Sequence, residues 1–328
     1  MIGLLEPKNG ALVSLSTEIQ KDFIRTLPTA HEGGAVDWLH LAHSGETDQT
    51  FPAPVIFRWE GAGQAKLYIG TDPALEKARV YPVFSGKAAI ENLEIGRTYY
   101  WRIEDSEVFS FTTDPAPVRW IRAEGLTNIR DAGGWKTKEG KLIRQGLFFR
   151  GSEMDTHCLI TPAGVKALRD DIRIRTDLDL RAEAVGRLTE SPLGRDIRYE
   201  NIPVQAYRTY LSEAGNESCR RIFALLTDRS AYPIYYHCWG GADRTGTVAY
   251  LLGALLGMTD EDLALDYELT SLSVWADRSR ESELFRSLLS GLEAYGAEDD
   301  TETRVRRYLL SVGVSEEEMR VIREIFLG

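Results

Sequence analysis

The sequence predicts two domains of different class: a small all-β sandwich over residues 1–115 and an α/β domain over residues 116–328. Three observations predict it. The chain has 328 residues, 43% of them apolar and 27% charged, more than one core of ordinary size holds. Its first third is a run of short alternating or aromatic segments separated by turn residues. Beyond Asp114-Pro115-Ala116-Pro117 the pattern changes to strands alternating with helices, and two prolines without amide donors mark an extended boundary there.

In the first part, PVIFRWE (54–60), AKLYIG (65–70), TYYWRIE (98–104) and VFSFT (108–112) read as strands, with Gly61, Gly63, Asp72-Pro73, Gly86 and Gly96 in the turns between them. Antiparallel strands at this spacing favour a sandwich. The segment TYYWRIEDSEVFSFTT resembles the end of a fibronectin type III domain, and Trp59 and the cluster Tyr99–Trp101 fit that likeness. The resemblance implies an immunoglobulin-like sandwich in which residues 24–50 form a long insertion. A module of this kind is expected to act as a spacer or a substrate-positioning module, or to bind a partner or glycan.

In the second part a strand is expected at 147–150, a helix at 161–170 and an extended segment at 173–180. A helix follows at 217–228, where Ile222, Leu225 and Leu226 recur at helical spacing. A short apolar strand, 233–237, then enters a glycine-containing loop, and an apolar helix, 247–256, leaves it. Thr259 is placed to cap a helical run to about residue 273. Helices over 283–294, 303–311 and 315–326 complete an all-helical end.

The formal charge of −11 fits neither nucleic acid nor an anionic membrane as partner. No apolar run reaches the roughly 18 residues of a membrane span, so no insertion is expected. The start MIGLLEPKNG lacks a basic region followed by an apolar one. The chain as given is expected to be cytoplasmic, or secreted if a leader has been trimmed from it. Cys158, Cys219 and Cys238 cannot all pair, and none has the CxxC spacing of a zinc or redox site. Neither a metal nor a disulfide framework is expected.

The chemistry concentrates in HCWGGADRTG, residues 237–246. A strand that delivers a cysteine into a glycine loop opening a helix makes an anion site, because successive amides turn inward and the helix N-terminus adds partial positive charge. Arg244 follows Cys238 by six residues, so one turn of loop sets its planar guanidinium opposite the sulfur, where it can hold two phosphoryl oxygens. The thiolate is the attacking form of a cysteine, and these surroundings favour negative charge. Trp239, Gly240, Gly241 and Ala242 form the rest of the phosphate-binding loop, with the glycines leaving room for backbone to approach the oxygens. Thr245 can donate to the sulfur, and Gly246 suits close packing at the helix start. A lone cysteine is most often a small buried apolar residue. The ordered neighbours outweigh that reading here.

This motif resembles the HCxxGxxR(S/T) signature of the protein tyrosine phosphatase superfamily, matching it at His237, Cys238, Gly241, Arg244 and Thr245. Upstream, GLTNIRDAGGW (125–135), GLFFRGSEMD (146–155) and DLDLRAE (177–183) resemble segments of the bacterial tyrosine phosphatases related to the mycobacterial and listerial secreted enzymes. The resemblance covers most of residues 116–328. It implies hydrolysis through a phosphocysteine with no cofactor, chiefly of phosphotyrosine in proteins, with small phosphate esters also substrates. Dual-specificity or phosphoinositide phosphatase activity is the alternative. Ala242 stands where that branch often has lysine, which weakens the case for highly phosphorylated lipids. A protein that merely binds a phosphorylated ligand or glycan is the reading from another class, and intact Cys238 and Arg244 speak against it.

The departing alcohol needs a proton. AYRTYLSEAGNES (206–218) offers Glu213 and Glu217 but no aspartate. The resemblance assigns the acid role to Asp243; the structural alternative is a brace at the first turn of a helix. Asp131 is read as orienting Arg244 or substrate, and Arg150 as adding positive charge or pairing with an acid, with a plain salt bridge open for each. His237 is expected to set the loop through backbone hydrogen bonds. Trp239 faces either the pocket mouth or the core.

Overall fold

A computed structural model describes residues 2–32, 47–61, 63–275 and 277–328. The chain forms two compact units, residues 1–17 with 52–120 and residues 18–51 with 121–328.

The first unit holds β1 (Leu4–Glu6), β2 (Ala11–Val13), β3 (Val55–Trp59), β4 (Gln64–Gly70), β5 (Arg79–Phe84), β6 (Lys87–Ile90), β7 (Thr98–Ile103) and β8 (Phe109–Thr113). They form one continuous sheet in the order β1-β3-β6-β5-β4-β7-β8-β2, antiparallel throughout except for the β8–β2 pair. Alternation builds its core: β3 buries Val55, Phe57 and Trp59, and β7 buries Tyr99, Trp101 and Ile103. Phe57 meets Trp101 edge-on with ring centroids 5.0 Å apart and Phe111 at 5.8 Å, although β3 neighbours neither β7 nor β8. The sheet therefore curls around these rings.

This corrects the expectation of an immunoglobulin-like sandwich of two facing sheets. The hairpin β5–β6 carries the pairing from β4 across to β3 and joins what the sequence reading would have split. Ser85 and Gly86, with φ of 63° and 72°, supply the left-handed pair that a two-residue hairpin turn requires. RVYPVF, with a proline inside it, gives little strand signal of its own. The stretch that interrupts the first unit, expected over residues 24–50, runs over residues 18–51. Helix α1 (Glu18–Glu32) and residues 47–51 belong to the second unit, and residues 33–46 lie outside the described residues. The Gln20 side-chain amide ties α1 to this segment by donating to Gln49 O at 2.6 Å and Phe51 O at 2.8 Å.

The second unit is built on β9 (Arg130–Asp131), β10 (Phe148–Gly151), β11 (Thr176–Asp179), β12 (Arg198–Asn201) and β13 (Ile234–His237), in the order β12-β11-β13-β10-β9. All pairs but β9–β10 are parallel. The helices are α2 (Pro162–Lys166), α3 (Glu213–Leu226), α4 (Asp243–Leu256), α5 (Asp260–Glu268), α6 (Glu283–Glu293), α7 (Thr301–Ser311) and α8 (Glu316–Leu327). Every residue of central β13 is buried, as a strand covered on both faces must be. Helix α4 is apolar nearly all round and mostly buried, and Gly257, at φ 88°, ends it in the left-handed conformation. Thr259 caps α5 by accepting from the Asp262 amide. Gly151, Asp179 and His237 share one register at the carboxyl ends of the parallel strands, the edge where such sheets bind ligands. Among the described residues, no helix is long and apolar enough to cross a membrane.

Candidate active site

The chain leaves β13 at His237, turns through residues 238–242 and enters α4 at Asp243. The carbonyls of this turn are held from outside it. Cys238 O lies 3.3 Å from His237 Nδ1, and Trp239 O accepts from the Glu153 amide at 2.8 Å. Gly240 O accepts from Asn128 Nδ2 at 2.9 Å, Gly241 O from Arg150 Nη2 at 2.8 Å, and Ala242 O from the Gly246 amide at 2.9 Å. In a trans peptide a carbonyl and the amide that follows it point in opposite directions. Holding these carbonyls outward turns the amides of residues 239–243 toward the space the loop encloses. Such a cradle, completed by the N-terminus of α4, can take an anion.

Two glycines make the turn possible. Gly241 has φ 67°, and a Cβ on it would sit 2.4 Å from Gly151 O; a Cβ on Gly240 would sit 2.7 Å from the Trp275 ring. Gly246 is less constrained, since its nearest neighbour is the end of the Arg150 side chain at 3.3 Å.

Within the cradle Cys238 is a free thiol, buried to 4% exposure. Arg244 donates through Nη1 to Glu183 Oε2 at 2.9 Å. Burial works to raise the Glu183 carboxyl, yet its own backbone amide and Arg244 hold it below the usual range. Asp243 accepts on both oxygens: Arg278 donates from Nε to Oδ1 at 2.9 Å and from Nη2 to Oδ2 at 3.0 Å, and the Tyr207 hydroxyl also donates to Oδ1. Trp239 faces outward at 38% exposure, its ring 4.4 Å from that of His157. Thr245 Oγ1 is buried with no hydrogen-bond partner among the described residues, so the expected bond to the sulfur is not made. A buried unpaired hydroxyl costs on the order of 1–3 kcal/mol.

Behind the loop, His237 Nε2 donates to Asp177 Oδ1 at 2.9 Å, and Nδ1 lies 4.0 Å from Asp179 Oδ1. Burial works against its charge, but the two carboxylates prevail and raise it to about 9. An imidazolium thus stands next to the nucleophile. Arg181 holds Asp179 in turn, through Nε to Oδ1 at 2.9 Å and Nη2 to Oδ2 at 2.7 Å. Beneath the loop Arg150 pairs with Asp266, which also accepts from Arg130 Nε at 2.7 Å. Both guanidiniums are buried, and desolvation with the neighbouring Arg150 charge lowers Arg130 to about 10 despite Asp266.

The structure thus gathers His237, Cys238, Trp239, Gly240, Gly241, Ala242, Asp243, Arg244, Thr245 and Gly246 around one turn, with Arg150 against its outer side. Asp131 is placed elsewhere than expected. Its carboxylate accepts from the Gly133 amide at 2.8 Å and the Gly146 amide at 2.6 Å, because β9 ends there and the side chain closes the turns that follow. Glu213 starts α3 as an exposed residue, and no described bond links it to the loop. Glu183, Asn128, Asp177, Tyr207, Asp266 and Arg278 are additions that sequence reading missed. Asp177 and Glu183 lie inside the noted segment DLDLRAE, where a run of acids around an arginine was the available signal. Asp266 and Arg278 lie in a stretch with no motif. Among the described residues no group of His, Cys, Asp and Glu stands together for a metal ion.

Comparison with known proteins bears on the second unit. No curated protein matches the chain. Fourteen chains of solved structures do. One is the core catalytic domain of the PP-IP phosphatase SIW14 from S. cerevisiae, crystallised with citrate, at 13% identity and a TM-score of 0.32, over 52% of this chain and 90% of that one. The profile described as the tyrosine phosphatase family matches residues 121–328, the stretch that carries the five-stranded sheet, the loop and every helix after α1. By that match the chain belongs to the tyrosine phosphatase family and has its phosphoric monoester hydrolase fold.

Proposed function

We propose that the protein hydrolyses phosphate monoesters through a phosphocysteine formed on Cys238. The observation that carries this reading is the turn of outward carbonyls, which aims the amides of residues 239–243 around the cysteine. The Cys238 thiolate attacks phosphorus and the ester P–O bond breaks, its electron pair leaving on the ester oxygen, which takes its proton from solvent water, while these amides and Arg244 hold the three non-bridging oxygens. Water then attacks the phosphocysteine, the S–P bond breaks, and the thiolate and inorganic phosphate are released. His237, charged by Asp177 and Asp179, stabilises the thiolate in both steps, and the Thr245 hydroxyl is free to donate to it as it leaves. The acceptor pattern on Asp243 suits a base for the incoming water better than an acid for the leaving alcohol.

For the substrate, dual specificity or phosphoinositide hydrolysis is the better reading than phosphotyrosine alone. Trp239, beside the nucleophile, and Glu183, which holds Arg244, are both exposed. Exposed groups beside the nucleophile and beside Arg244 set no wall that would select for the length of a tyrosine ring. The finer family reading is the bacterial secreted branch, and it rests on segments 125–135, 146–155 and 177–183.

The test begins with p-nitrophenyl phosphate. Wild type should turn it over and Cys238→Ser should not; equal rates in the two proteins would sink the phosphocysteine. A panel of phosphotyrosine, phosphoserine and phosphoinositide substrates follows, in which kcat/KM values within about tenfold of one another support the broad reading. A preference for phosphotyrosine above roughly a hundredfold overturns it.

A further inference from the structure

Asp243 is clamped from two places outside its loop. Arg278 comes from the segment after α5, and Tyr207 from the short turn Tyr207–Leu211. Neither anchor is loose. The Arg278 amide donates to Ser271 Oγ at 2.8 Å, and Ser271 Oγ donates to Arg278 O at 3.0 Å. Two residues on, Arg280 grips Glu268 at 3.0 and 2.7 Å and Glu261 at 2.7 Å. Trp275, from the same segment, packs over Gly240. Tyr207 is held in the left-handed region at φ 56°, unusual for a large side chain, with its amide on Thr247 Oγ1 at 2.9 Å and its hydroxyl 2.8 Å from that of Tyr267.

We infer that Arg278 is a positioning residue which, with Tyr207, fixes Asp243 as the base of the second step. Among the described residues Oδ1 accepts from both Tyr207 and Arg278, whereas Oδ2 accepts only from Arg278 Nη2, so a lone pair on Oδ2 stays open to water. The Asp243 side chain is 38% exposed, so water reaches it. The remaining titratable group that feels this carboxylate is Tyr267, whose hydroxyl lies 2.8 Å from that of Tyr207. The step balances without a further reactant. The water oxygen bonds to phosphorus, the S–P bond breaks with its electron pair returning to Sγ, and the water proton passes to Asp243 Oδ2. This inference rests on the phosphocysteine reading above, which fails separately if Cys238→Ser keeps wild-type turnover.

The test is rapid-quench kinetics on p-nitrophenyl phosphate, where kcat/KM reports the first step and kcat includes the second. For Arg278→Gln, kcat should fall about tenfold while kcat/KM stays within about twofold, with a burst of about one p-nitrophenol per active site. Asp243→Asn should show the same split more strongly, and Arg278→Gln added to it should change little, because both act through one carboxylate. The split compares two constants from one preparation, so a partly unfolded variant still decides the matter. Arg278→Lys, which keeps the charge but loses the fork, should fall in between. Equal falls in kcat and kcat/KM without a burst, or a further tenfold loss in the double variant, would overturn the inference.

Discussion

Gly241 shows how narrowly a single residue is set. Its φ of 67° strains any side chain, and the Cβ of an alanine would lie 2.4 Å from Gly151 O, a backbone atom on β10 that cannot swing away. Gly241→Ala should therefore push the loop off its cradle, cutting turnover more than tenfold and stability by about 1–3 kcal/mol, while Gly246→Ala, which meets the fixed Arg150 end at 3.3 Å and no backbone, should lose clearly less. Activity on p-nitrophenyl phosphate and thermal melts of both variants check this, and similar losses in the two would refute it. Glu183 calls for a smaller effect. Its pair with Arg244 is half in water, and exposed pairs are worth at most about 1 kcal/mol, so Glu183→Gln should alter KM by no more than roughly fivefold and leave the melting temperature alone. A loss of a hundredfold would mean that Glu183 takes part in the chemistry.

At the scale of elements, the loop is held by its neighbours more than by itself. Strand β10 supplies Arg150, β9 supplies Arg130, and α5 supplies a carboxylate, Asp266, that pairs with both. Burial alone would raise Asp266, but the two guanidiniums hold it below the usual carboxylate range. Asp266→Asn strands two buried cations and should cost about 3–5 kcal/mol, far more than Glu183→Gln. Urea titration of the two variants measures the contrast, and equal midpoints would refute it. This network also marks where the sequence stops being readable. HCWGGADRTG is local, and the strand, loop and helix it implies are all present, as is the cap at Thr259. Asp266 with Arg150 and Arg278 with Asp243 join residues far apart along the chain, and each residue alone reads as a solvated charge. Strands β9 and β12, of two and four residues, are too short to show a period, and β5 hides behind Pro82. The error at fold level followed from β5 and β6: without them the strands that were recognised sort into two sheets, and with them they close into one.

For the molecule as a whole, the buried charges behind the loop set how stability depends on pH. The folded state raises His237 from 6.5 to about 9, so its contribution is complete below pH 6.5 and is lost as pH rises through about 9. Asp179, Asp266 and Glu153 move the other way. Burial opposes each, but His237 and Arg181 at Asp179, Arg130 and Arg150 at Asp266, and the Thr156 side chain and loop amides at Glu153 hold them below ordinary carboxylates. Their contributions are present above the usual carboxylate range near pH 4 and vanish as pH falls below it. The two sets oppose each other, which places maximum stability between about pH 5 and 6.5 rather than on the alkaline side. Denaturant melts from pH 4 to 9.5 should show stability declining above pH 6.5, by at most ~1.4 kcal/mol per pH unit and on the order of 3 kcal/mol in total. His237→Asn should be less stable at every pH, because Asp177 and Asp179 then lose their cation, yet its curve should be nearly flat from pH 6.5 to 9. If the variant keeps the wild-type alkaline slope, the proton lost over that range belongs to another group, and the imidazolium behind the nucleophile is not what holds the loop's charge in balance.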